Sequence, residues 1–278
     1  MSFYPQPYKY QCGPFALKYA LVMLGRFENE REIGKKAGST WWYGTDEIGL
    51  AKAAKSFNCN MKYFRRETPS EAIKVLSHHL KQGLPCILSV DNWEHWFTVI
   101  TEQQKKFIVV DSALDKVIVI YTANQLLKRW KYFDEETGDT SYDGYALFSK
   151  EKLKTKAHFS LEKARYVMQD RNKNLAKKWD TYFNDLITIC RLRTSHTNRT
   201  ISFTEFLRRH ENLIVNQVAD WHGSPTYKEL KKILTNMQFV AEVYNLVIHT
   251  EDQKKALVDL AAILMMYSCG KYGMDPIY

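Results

Sequence analysis

The sequence predicts an α+β domain over residues 1–150, in which helices come first and sheet second, followed by an all-α domain over residues 151–278. Three observations carry this. Apolar residues recur at helical spacing between residues 12 and 82, the period falls to two between 85 and 120, and helical spacing with capping signals returns after 158.

The first helix opens at Cys12, ahead of Gly13-Pro14, with Phe15, Tyr19, Val22 and Met23 at helical spacing. Proline is tolerated in a first turn because the N–H it lacks has no intrahelical partner there. A short polar helix follows over residues 29–37, and residues 39–44, STWWYG, form an aromatic-rich loop. Over residues 45–57, Ile48, Leu50, Ala51, Ala54 and Phe57 keep helical spacing, with Thr45 or Asp46 able to cap. Residues 58–64 alternate as a strand, and residues 69–82 read as a helix with proline near its start and Gly83 to end it.

The next runs, residues 85–90, 96–100, 107–110 and 117–120, are rich in β-branched and apolar side chains. Their connections are too short for parallel crossovers, so the strands are expected to be antiparallel neighbours. A helix over 122–130 and a last strand over 144–148 complete the domain.

Residues 149–158, SKEKLKTKAH, are lysine-rich and without period, and set the boundary. Beyond them, Ser160 can cap a long helix whose stripe is Val167, Met168, Leu175, Trp179, Tyr182, Leu186 and Ile189. Ser202 and Glu205 form a capping box for a second helix, with Phe206, Leu213, Ile214 and Trp221 inside. Ser224-Pro225 opens a third, through Leu230, Ile233, Leu234, Met237 and Tyr244. Thr250 and Gln253 form a capping box for a fourth that ends near Gly270. Four capped amphipathic helices with short connections imply an up-and-down four-helix bundle.

The chemistry starts at Cys12. The N-terminus of a helix favours an anion, so a thiol there ionises more readily than a free one. A cysteine nucleophile also needs a proton carrier, a group to orient it, and donors for an oxyanion. His95 heads the strand WFTVI, and Asp111 closes the strand FIVVD sixteen residues later. If these strands are antiparallel neighbours, the end of one lies beside the start of the other and Asp111 reaches His95. Gln6 precedes Cys12 by six residues and can offer its amide to an oxyanion; Gln11, next to the nucleophile, is the rival donor. Trp41, Trp42, Trp93 and Trp96 flank these residues and are candidates to line a substrate cleft, or to cap the sheet as core aromatics. Cys59 and Cys86 read as core, and His78-His79 as a solvated helix face.

Gln6, Cys12-Gly13-Pro14 with its apolar helix, GTDEIGLAKAAKSF, a histidine heading a β-branched strand and an aspartate closing the next resemble, in order and spacing over residues 3–148, the papain-like bacteriocin-processing peptidases. Those enzymes cut leader peptides after a double glycine. The resemblance implies a papain-like fold, Cys12 as nucleophile, His95 as base and acid, Asp111 as orienting residue and Gln6 as oxyanion donor, with no cofactor. Those peptidases usually carry an acidic residue where this chain has Gln11, and are commonly joined to membrane-spanning and ATP-hydrolysing regions where this chain has its helical domain. The expected substrate is a peptide or another amide. Release of the acyl-enzyme by water makes a peptidase, and release by an amine makes an acyltransferase or ligase. The rival from another class is a partner-binding shell without catalysis.

Composition narrows the partners. The net charge is +9, and the second domain carries more of it, with 20 basic and 14 acidic side chains in residues 151–278. Such a bias suits an acidic partner, whether nucleic acid, an acidic protein or an anionic membrane surface, and is too diffuse to name one; no nucleic-acid-binding motif accompanies it, and a protein partner for the helical domain is expected. Cysteines at 12, 59, 86, 190 and 269 make neither a disulfide framework nor a metal-ligand spacing. The start has no signal-peptide pattern, and the longest apolar run, residues 256–269, is interrupted by Asp259 and too short to span a bilayer. A reduced, cytoplasmic protein is expected.

Overall fold

The computed structural model describes residues 1–151, 155–192, 199–219 and 226–268. Its first unit, Ser2–Lys177, is built on a seven-stranded antiparallel sheet in the order β1 (Cys59–Arg66), β7 (Thr140–Ser149), β2 (Cys86–Val90), β3 (His95–Gln103), β4 (Lys106–Val110) and β5 (Ile118–Thr122), with β6 (Tyr132–Phe133) on β7. The period of two explains its two-sided burial. Along β2, Ile87 joins a core with helices α1 (Cys12–Met23) and α3 (Glu47–Ser56), while Cys86, Leu88 and Val90 join the core under α4 (Pro69–Lys81) and α5 (Ala123–Trp130). The α+β arrangement expected from the sequence is therefore present.

Every one of the twelve residues of α1 is buried. That includes Lys18, whose ammonium bonds Glu30 of α2 (Glu30–Ala37) at 2.9 Å, an ion pair that a buried charge requires. Full burial of each large apolar side chain contributes roughly 1.5–3 kcal/mol, which makes α1 the main anchor of this core. Local signals hold the other helices. Asn29 caps α2, Asp46 caps α3 through Gly49 N–H at 2.7 Å, and Thr68 caps α4. His79 departs from the expected solvated face: it is buried, tilted against the Phe64 ring at 5.2 Å, because the inner face of α4 packs on the sheet.

The compact units divide between Lys177 and Lys178, later than the boundary read at 150/151. The reason is that the chain after the lysine-rich stretch stays with the first unit. Ala157 N–H bonds Met23, Leu161 N–H bonds the Gln103 side chain, and Ser2 and Phe3 bond the carbonyls of Lys177 and Ala176. The single long helix expected from Ser160 is broken into α6 (Leu161–Val167), α7 (Lys173–Lys177) and α8 (Trp179–Ile189), with extended backbone at Gln169. Of the expected stripe, Val167, Leu175, Trp179, Tyr182, Leu186 and Ile189 are buried, while Met168 is half-buried.

The second unit, Met1 with Lys178–Tyr278, contains α8, α9 (Phe203–Ala219), α10 (Tyr227–Val243) and α11 (Gln253–Ser268). An all-α reading of it is incomplete: β8 (Arg191–Leu192), β10 (Leu246–His249) and β9 (Thr200–Ser202) form a three-stranded antiparallel sheet in that order. Ser202 does accept from Glu205 N–H, but Glu205 turns to Arg208 and Arg209, and Leu213 is exposed. The capping box of α10 is Thr226 with Glu229; Ser224-Pro225, Trp221 and Gly270 lie outside the described residues. Thr250 makes no cap for α11, because its hydroxyl bonds the Arg199 carbonyl and residues 250–252 form a 3-10 turn. Among the described residues, no helix is long and apolar enough to cross a membrane.

Where α3 meets α2 a side chain is excluded: a Cβ on Gly49 would lie 2.3 Å from the Ala37 carbonyl oxygen. Gly49→Ala is expected to destabilise the first unit by about 1–3 kcal/mol, the usual cost of overpacking. Urea denaturation should show a lower midpoint at unchanged slope, and an unchanged midpoint would show that the two helices part freely.

Candidate active site

Cys12 is the first residue of α1 and is buried; the chain enters through a 3-10 turn at Lys9–Gln11. Gly13 allows the approach of the following loop, since a Cβ there would meet Thr45 Cβ at 2.8 Å. The thiol therefore sits where the partial positive charge of a helix start is strongest, in a site with little water.

His95 begins β3, opposite Val90 on β2. The β3–β4 register, Thr98 opposite Val110, carries the residue after β4 to a place opposite Phe97, diagonal to His95 on the same face. The residue after β4 is Asp111, whose side chain has no exposed surface. His95 Nε2–H donates to Asp111 Oδ1 at 2.7 Å, which leaves Nδ1 for the thiol side. Ala113 N–H donates to the same oxygen at 3.0 Å, and Arg129 Nη1 to Oδ2 at 2.5 Å. Burial alone would raise the Asp111 pKa, but these donors hold it below the usual carboxylate value. Burial would likewise lower that of His95, yet hydrogen bonds to Asp111 and Cys12, and their charges, raise it to about 9. The two acidic neighbours therefore favour the protonated ring.

Arg129, in the last turn of α5, was not singled out by sequence reasoning. Nothing in its spacing announces it, since a basic residue ending a helix is ordinary. Ser112 was also missed, although it follows Asp111 directly. Its hydroxyl donates to Gln6 Oε1 at 2.5 Å, and its carbonyl accepts from Gln6 N–H at 2.9 Å. Gln6 lies in this neighbourhood with both amide hydrogens already donated, to the carbonyls of Tyr8 at 3.0 Å and Lys9 at 2.9 Å. The Gln11 side-chain oxygen is buried with no hydrogen-bond partner among the described residues.

The four tryptophans separate. Trp41 and Trp42 are 70% and 61% exposed on the loop pinned by the Thr40–Gly44 bridge, with rings edge to face at 4.6 Å. Trp93 is 45% exposed, stacked on Tyr132 at 3.8 Å and bonded to Asp143. Trp96 is 8% exposed, in the same core as Cys12, and its indole N–H donates to Thr45 O at 3.0 Å. Its side chain packs as core and offers little surface to a ligand. Among the described residues no group of histidine, cysteine and carboxylate side chains could hold a metal ion.

Comparison with known proteins agrees with the first unit. Residues 2–133, a little under half of the chain, match the model described as the Peptidase C39 family. Similar solved structures include a double glycine motif protease from an AMS/PCAT transporter in complex with the leader peptide, at 20% identity, covering 51% of this chain and 89% of that one with a TM-score of 0.39. The peptidase domain of Streptococcus ComA, a bi-functional ABC transporter involved in quorum sensing, is 16% identical, covering 51% and 96% at a TM-score of 0.39. The peptidase domain of Streptococcus mutans ComA is 16% identical, covering 51% and 98% at 0.32. No curated protein matches the chain.

The two shifted groups set a pH dependence of stability. A histidine raised from 6.5 to about 9 contributes stability that is fully present below pH 6.5 and lost as pH rises through 9. A carboxylate held below 3.8 contributes stability present above that pH and lost as pH falls through its lowered value. Between pH 6.5 and 9.5 the wild type is expected to lose up to about 3 kcal/mol, and His95→Gln to lose much less. Urea midpoints across that range check this; equal slopes in both proteins would remove His95 as the source.

Proposed function

We propose that the C39-family peptidase domain of this chain cleaves a peptide amide with Cys12 as nucleophile, His95 as acid and base, and Asp111 as the residue that orients His95. The observation that carries this reading is the run of contacts from Asp111 through His95 to Cys12, with Nε2 of the ring held by the carboxylate. An imidazolium beside a thiol favours the thiolate, the form that attacks carbonyl carbon.

In the first half-reaction, the sulfur–carbon bond forms and the carbonyl π electrons move to oxygen. The backbone N–H of Cys12 and the Gln6 amide hold that oxyanion, Gln6 by turning one N–H away from the carbonyl of Tyr8 or Lys9. His95 gives the proton on Nδ1 to the departing amine as the C–N bond breaks, leaving a thioester. Water then attacks the thioester, His95 takes its proton, and the C–S bond breaks to regenerate the thiolate. Trp41, Trp42 and Trp93 offer exposed rings to the peptide, and Trp96 supports them from the core. The helical unit serves to hold a protein partner, although residues 178–278, with 12 basic and 11 acidic side chains, carry little of the net charge. Cys12, Cys59, Cys86 and Cys190 are free and buried, which suits a reducing compartment such as the cytoplasm.

Iodoacetamide reports the ion pair without a substrate. Followed by mass spectrometry from pH 4 to 9, Cys12 in the wild type is expected to alkylate rapidly below about pH 6, where an ordinary thiol is nearly inert. His95→Ala should slow acid-range labelling by tenfold or more, on the order of one pKa unit. A wild-type profile that follows an ordinary thiol would sink the assignment. With a cleavable peptide in hand, Trp41→Ala should raise KM more than it lowers kcat; an unchanged KM would remove Trp41 from the cleft.

A further inference from the structure

We propose that Arg129 is a positioning residue of the catalytic centre, a fork that holds Asp111 with one tine and the loop leading to His95 with the other. The inference rests on the assignment of Cys12, His95 and Asp111 made above.

The geometry is a bridge between two pieces of chain that meet at one hydrogen bond. On one side, Arg129 Nη1 donates to Asp111 Oδ2 at 2.5 Å and to the Tyr121 hydroxyl at 3.2 Å. On the other, Nε donates to Asp91 Oδ1 at 3.0 Å, Nη2 donates to Asp91 Oδ2, and the Arg129 carbonyl accepts from Asp91 N–H at 2.7 Å. The guanidinium also lies over the Phe97 ring, 5.2 Å from its centroid. Its charge is strengthened first by Asp91 and then by Asp111 against the cost of burial. Only a planar fork with several donors can serve both carboxylates at once; a lysine ammonium is a point charge on a flexible stem.

What the fork restrains is a loop that needs restraint. Asp91, Asn92 and Trp93 are consecutive left-handed residues, with φ of 54°, 59° and 66°. Aspartate and asparagine visit that region readily, tryptophan does not, and two residues later the chain reaches His95. Asn92 is tied by Phe133 N–H at 3.2 Å and Trp93 by its stack on Tyr132, so each residue of the loop has its own anchor. The anchor at Asp91 is Arg129. Because the same side chain grips Asp111, it sets the separation of the loop before His95 and the carboxylate that orients His95.

Cys12 labelling at pH 5 tests this, in the wild type, Arg129→Gln, Arg129→Lys and Asp91→Asn. Arg129→Gln removes the cation that grips Asp111 and Asp91 and frees both carboxylates, and should slow labelling about tenfold, with the acid limb of the profile moving to higher pH. Arg129→Lys keeps the charge and loses the fork, so it should resemble Arg129→Gln; a wild-type profile would overturn the bridge. Asp91→Asn separates positioning from charge, because asparagine keeps the left-handed backbone. Loss of a negative charge by itself favours the thiolate and would speed labelling, whereas loss of the grip slows it. Slower labelling supports the proposal, and equal or faster labelling overturns it, even if Arg129→Gln fails to fold. A wild type that shows no acid-range labelling is a failure of the catalytic assignment and is read before any variant.

Discussion

One carboxylate with no contact with water constrains this half of the molecule. Removing a charge from solvent costs several kcal/mol unless partners replace the lost hydration. Asp111 finds them on separate pieces of chain: the His95 ring from β3, the Ala113 amide from its own loop, and the Arg129 guanidinium from α5. The sheet register, the turn after β4 and the C-terminal end of α5 must therefore be correct together. A shift of one residue between β3 and β4 would turn every side chain of one strand to the other face and leave the charge bare.

The same dependence explains what was legible in the sequence. Cys12 was legible because a helix start has a local signature, a proline in the first turn and an apolar run behind it. His95 and Asp111 were legible because two strands joined by a tight connection have little choice but to pair antiparallel, and the distance along the chain then becomes a distance in space. Arg129 was hidden, since its role depends on where a helix end falls relative to a strand end, which no local spacing encodes. Gln6 was found by its six-residue separation from Cys12, but its present partners, Tyr8, Lys9 and Ser112, are set by a turn without sequence periodicity.

Periodicity also explains the misreadings. α1 shows an apolar stripe, yet all its faces are buried, and Lys18 sits inside because Glu30 comes to meet it. A stripe reports which residues must be inside, not which are permitted to be. In the second half, strands of two to four residues are too short for an alternation to be counted, so β8, β9 and β10 vanish into the spacing of the helices around them. The stripe from Val167 to Ile189 survives a chain that bends twice, because burial was preserved while helical continuity was not.

Along the line Asp91, Arg129, Asp111, His95, Cys12 the charges alternate when the thiol is ionised, and the line runs from a partly exposed carboxylate through fully buried Asp111 to buried Cys12. Each interior member is stabilised by two neighbours of opposite sign, so none can be neutralised without leaving another uncompensated in a poor solvent for ions. The thiolate at the end has one charged side-chain neighbour in this line, His95, together with the helix start. Alternation anchored at the solvent end thus runs inward to the place where α1 begins.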